Sequence, residues 1–157
     1  MPTPILPKFS APIPLTITIA SLANSSGGSG RQSTIYDNTT TRFQRATVFL
    51  KTKLGATPTV GYLGLYLIRD DGSVTPLRDD NAGSVDAAIT LLNSWQIGSI
   101  VTKAAPATGD VLQGSFVIEN SGPKFALAVL NSTGVALDAT AGNHVLEFVG
   151  EDPEIQN

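Results

Sequence analysis

Cysteine is absent from the 157 residues. This removes disulfides, thiolate nucleophiles and Cys-ligated zinc together. A single histidine, His144, excludes a His-rich metal site within one chain. Charged residues make up 15% of the chain, against about 25% in an ordinary globular protein, so the surface must be built from Ser, Thr, Asn and Gly. The net charge of −3 argues against a general nucleic-acid binder. No apolar run approaches the ~20 residues needed to cross a bilayer. The five prolines among the first 14 residues interrupt any signal-like apolar stretch. No targeting segment and no membrane partner are therefore expected, and the protein should be soluble until it assembles. Nucleotide loops of the Walker or dinucleotide type and a G-x-S-x-G elbow are also missing. His144 follows Gly142-Asn143 at an expected turn-to-strand junction and reads as a surface-facing strand residue. No enzyme signature emerges, and no cofactor is expected.

What is present is β-structure. From Val111 to Val149, apolar runs of strand length alternate with short Gly, Asn, Ser and Pro clusters, the pattern of consecutive antiparallel strands. Leu112, Phe116 and Ile118 share a face opposite Gln113, Ser115 and Glu119, and Phe125, Leu127 and Val129 share another. Upstream, Leu15–Ala23 and Gln44–Leu54 alternate cleanly, with Ala46, Val48 and Leu50 on one side of the second. In Thr59–Arg69, Tyr62 and Tyr66 alternate with Leu63, Leu65 and Leu67. Asp70-Asp71-Gly72-Ser73 reads as a hairpin turn into a short strand at 74–77. Residues 78–87 read as a polar loop, 87–94 as a strand or one helical turn, and Trp95–Lys103 as a strand. With eight or nine strands and no long helix, the chain is expected to be all-β: an antiparallel β-sandwich, jelly-roll-like. Its length suits one domain. The expected division is an extended Pro-rich arm at 1–14, a sandwich at 15–150 and an acidic tail at 151–157.

Two features point to contacts with other chains. In the arm, Ile5, Leu6, Phe9 and Ile13 interleave with proline. Proline stiffness lowers the entropy lost on docking, so an arm lying on a neighbouring subunit is expected. Residues 31–53 hold five of the ten basic residues and one acid, a local +4 that leaves −7 elsewhere. Arg31, Arg42 and Arg45 are thus candidates for contacts with an acidic partner surface, including a neighbour's C-terminus. Asp70-Asp71 and Asp79-Asp80-Asn81 offer oxygens of the kind calcium takes, but without EF-hand spacing, and turn chemistry accounts for the first pair. Trp95, Tyr62 and Tyr66 are candidates for a sugar platform, although such residues in strands more often fill cores. The N-x-S/T triplets at Asn24, Asn38 and Asn131 read as loop composition.

Ser21-Leu22-Ala23, Gly30-Arg31-Gln32-Ser33 and Asp37-Asn38, followed by an alternating strand, resemble the N-terminal signature of small tailed-bacteriophage virion proteins. The expected hairpin with Asn131-Ser132-Thr133-Gly134-Val135-Ala136-Leu137 is similar to their C-terminal meander. The resemblance spans roughly residues 15–150. It implies a structural virion component, a capsid decoration (cement) protein made in the host cytoplasm. Such a protein binds the major capsid protein on the head surface, often as a homotrimer at local three-fold positions. Two other classes remain open: a tail- or fibre-associated host-attachment or carbohydrate-binding module, and a glycan hydrolase of unrecognised type.

Overall fold

Two antiparallel sheets face each other across one apolar core. The computed structural model describes residues 5–24, 29–59, 61–70, 85–88 and 94–155. The strands are β1 (Ile5–Phe9), β2 (Ile13–Pro14), β3 (Ser29–Gln32), β4 (Tyr36–Asp37), β5 (Arg45–Lys53), β6 (Tyr62–Asp70), β7 (Ala87–Ala88), β8 (Ser94–Val101), β9 (Val111–Glu119), β10 (Lys124–Ser132) and β11 (Val145–Ile155). One sheet runs β1-β11-β5-β9, with β2 also on β11. The other runs β7-β3-β10-β6-β8, with β4 also on β10.

Period-two alternation builds the core. Ala46, Val48 and Leu50 of β5, Ile118 of β9 and Leu146 and Phe148 of β11 point inward to meet Leu63, Leu65 and Leu67 of β6 and Phe125, Leu127 and Val129 of β10. A fully buried leucine contributes roughly 1.5–3 kcal/mol, so this layer is the main stabilising term. Phe148 makes edge contacts with Tyr36 (4.8 Å between centroids) and Phe125 (5.5 Å). The sequence placed the inward faces of β5, β6, β9 and β10 as they are found, but not that of β11, where Leu146 rather than Val145 joins Phe148 inside. On β10 and β6 the opposite face is buried as well, through Tyr66, Ile68, Ala126, Ala128 and Leu130.

Three expectations change. First, residues 111–149 are not a meander. β9, β10 and β11 never pair with one another, because the chain crosses to the other sheet at each connection. Alternation fixes which face of a strand is buried but not which strand lies beside it. Second, residues 135–140 contribute only the isolated bridge Leu54↔Leu137. Third, Leu15–Ala23 is not a strand. It crosses the end of the sandwich and plugs it with Leu15, Ile19 and Leu22, all buried. The spacing of these three residues is not period two, and Ser21 turns the chain with φ +58°. The turn at 71–73, the strand at 74–77, most of the 78–87 loop and residues 89–93 lie outside the described residues.

The N-terminal segment pairs with the chain's own C-terminus. β1 runs antiparallel to the end of β11, from Ile5↔Ile155 to Phe9↔Glu151. Residues 151–155 are therefore strand rather than tail. β5 accompanies β11 only as far as Arg45↔Glu151. Past that point, among the described residues, the two termini form a two-stranded ribbon.

Candidate functional site

The ribbon is shaped by two prolines. Pro7 lies opposite Pro153. Opposed residues in an antiparallel ladder alternate between pairs that exchange two hydrogen bonds and pairs that exchange none, and two prolines fit only the second kind. The neighbouring bonds agree: Ser10 N donates to the Gly150 carbonyl at 2.9 Å and Leu15 N to the Leu146 carbonyl at 3.0 Å. Even-numbered residues of β11 thus face β1 and β2, and odd-numbered ones face β5. The donor missing at Pro153 is on the β5 side, where pairing stops. The donor missing at Pro7 is on the free edge of β1, which is thereby blunted against further strand addition. All five residues of β1 are exposed, with Ile5 at 65%, Leu6 at 50% and Phe9 at 63%. Ile13, grouped with them from the sequence, instead packs against the core.

The three arginines separate. Arg31 is buried: its Nε donates to Asp86 Oδ1 at 2.7 Å, and its Nη1 donates to the carbonyls of Thr18 (2.9 Å) and Ala20 (2.6 Å). It satisfies carbonyls of the crossing segment that have no ladder partner. It is an internal brace, not a surface contact. Arg42 is exposed, with φ +54°, and its Nε donates to the Thr39 carbonyl at 3.3 Å. Arg45 stands between Glu119 (3.9 Å) and Glu151 (3.8 Å), its cross-strand neighbours on either side. Part of the expected basic-to-acidic match therefore lies within the chain.

His144 also departs from its reading. The 3-10 turn Ala141–Asn143 precedes it, and it is half-buried. Its Nε2 lies 2.9 Å from the Asp138 carbonyl, which only accepts, and its Nδ1 lies 2.6 Å from Thr52 Oγ1. In the neutral ring, Nε2 carries the proton and Nδ1 accepts from the threonine. Asp138 organises the same corner. Its Oδ1 accepts from Thr140 N (2.9 Å) and Asn143 Nδ2 (2.8 Å). These bonds, with Lys53 a smaller contributor, hold its carboxyl down at about 2.

Two of the three N-x-S/T asparagines are internal. Asn131 lies within β10, fully buried. It donates to the carbonyls of Leu22 (3.0 Å) and Val135 (2.7 Å) and accepts from Thr133. Asn38 donates to the Phe43 carbonyl at 3.0 Å and accepts from Phe43 N at 2.9 Å.

Sequence reasoning missed a groove. β8 and β9, the outer strands of the two sheets on one side, approach without pairing. The Phe116 ring sits where a Cβ on Gly98 would stand, so glycine is what lets the two edges close. At the other end a groove of about 350 Å³ remains, lined by residues that include Arg45, Arg69, Trp95, Gln96 and Glu119. Trp95 is not core: it is 63% exposed. The Arg69 guanidinium lies 5.4 Å from its ring centroid, a cation–π distance, and Arg69 Nη2 donates to the Glu119 carbonyl at 3.3 Å. Tyr66 is buried on the outer face of its sheet and Tyr62 is exposed; neither lines this groove. The exposed tryptophan was legible as a candidate, but the partnership of β6, β8 and β9 that frames it was not.

Asp79, Asp80 and Asn81 lie outside the described residues. Among the described residues, no group of three His, Cys, Asp or Glu side chains is placed to hold a metal ion, and no helix is long and apolar enough to cross a membrane. No protein-family model matches the chain, and no curated protein matches it.

Proposed function

We propose that the chain is a jelly-roll structural protein of a tailed-phage virion: a capsid decoration (cement) protein that forms homotrimers and binds the major capsid protein across neighbouring capsomers. The observation that carries this reading is the terminal ribbon. It presents Ile5, Leu6 and Phe9 to solvent on a two-stranded element that is marginal in water by itself. Its proline-blunted edge favours docking through side chains over strand addition. Docked on neighbouring subunits, three ribbons would hold the trimer, and a trimer multiplies modest capsid contacts through effective concentration.

The strand order supports the jelly roll. With β1–β2 and β3–β4 each taken as one strand and β7 set aside, the eight strands in chain order lie 1-8-3-6 and 2-7-4-5. The neighbours 1-8, 2-7, 3-6 and 4-5 are those of one long hairpin rolled up. Capsid and lectin domains both use this architecture.

The test is co-sedimentation with undecorated phage heads. The full chain is expected to pellet with heads, and a chain lacking residues 1–9 to remain in the supernatant. A full chain that stays in the supernatant would overturn the reading.

A further inference from the structure

We propose that the groove between β8 and β9 binds a saccharide that carries a carboxylate, of the uronic-acid or sialic-acid class. Three observations converge there. Trp95 offers an indole face at 63% exposure, and the C–H face of a pyranose is the flat apolar surface that stacks on such a ring. Arg69 already occupies a position over the ring and is anchored by its bond to the Glu119 carbonyl, so the platform is held in place before a ligand arrives.

The arginine fork sets the class. Arg45 is half-exposed, and its two ion pairs, at 3.9 and 3.8 Å, are at the outer limit of such contacts. Pairs of this kind contribute little, so its planar fork is open to a bidentate carboxylate. Glu119, with a side chain 72% exposed, is free to turn away and accept from a sugar hydroxyl, and Gln96 adds a donor and an acceptor. The volume of about 350 Å³ is at the small end of ligand sites, suited to one or two sugar rings. A nucleic-acid strand would use the same stacking, but it needs a basic track of several aromatics. This chain has one tryptophan and a net charge of −3.

Trp95 is the sole tryptophan, so intrinsic fluorescence reads the groove directly. The probes are oligogalacturonate, a hyaluronan fragment and sialyllactose, with methyl-esterified oligogalacturonate, cellohexaose and oligo(dT) as controls. At least one acidic sugar is expected to shift the emission saturably, while the controls do not. Arg45→Gln is expected to weaken that binding about tenfold or more, the value of a charge-assisted bond, with an unchanged melting temperature. Trp95→Ala is expected to abolish the heat of binding in calorimetry. Silence with every acidic probe, an equal response to the ester or to oligo(dT), or full affinity in Arg45→Gln would each overturn the proposal. The assay uses no phage heads, so its failure is distinct from failure of the decoration reading.

Discussion

Arg31 and Asp86 stand 55 positions apart in the chain and 2.7 Å apart in space. Asp86 Oδ2 also accepts from Ala23 N at 3.2 Å, so the pair ties the core-plugging crossing segment to β3 and to the residue before β7. Arg31 is buried whereas Asp86 is partly exposed, so the cost of removing the guanidinium falls chiefly on the Thr18 and Ala20 carbonyls left without their donor. Arg31→Met is expected to cost roughly 3 kcal/mol, read as a lower urea midpoint. A loss below about 1 kcal/mol, the range of an exposed pair, would contradict the bracing role.

The same region shows what the sequence could and could not tell. Inward faces of β5, β6, β9 and β10 were legible because alternation reports burial directly. The residues that carried the phage resemblance, Leu22, Arg31, Asn38 and Asn131, prove to hold loops and crossings together. Arg31 looked like a surface cation because charge in a sequence carries no sign of burial. Its partner Asp86 and the carbonyls it satisfies are brought to it only by the fold. The groove was illegible for a related reason: β8 and β9 belong to different sheets, and nothing local says that their edges meet.

Gly98 and Phe116 set the closure of those edges. A Cβ at Gly98 would occupy the place of the Phe116 ring. Gly98→Val is expected to destabilise by about 1–3 kcal/mol through overpacking. Phe116→Ala in the same chain should recover part of that loss, a coupling visible in a double-mutant cycle. Additive losses would show that the two residues do not compete for one space.

Acid should weaken the fold in a defined window. Asp138 is held at about 2, below its ordinary 3.8. Hydrogen bonds, from Thr39 to Asp37 and from Lys103 and Ala107 to Asp110, lower those two carboxyls as well. Groups depressed in the folded state add stability above their unfolded pKa and lose it as pH falls through the folded value. Melting temperature is therefore expected to be flat above about pH 5 and to fall from about pH 4 towards 2. Asp138→Asn should flatten part of that decline, and an unchanged profile in this variant would contradict its share.

Light scattering on a sizing column tests the assembly claim most directly. The full chain is compared with a variant carrying Ile5→Ser, Leu6→Ser and Phe9→Ser. These side chains are exposed in the single chain, so the variant should keep the parent's fold, read as an unchanged far-UV circular-dichroism spectrum. The parent is expected to run as a particle of three 16.3-kDa chains and the variant as a single chain. A parent that runs as a single chain, or a variant that remains a trimer, would contradict the role given to the ribbon.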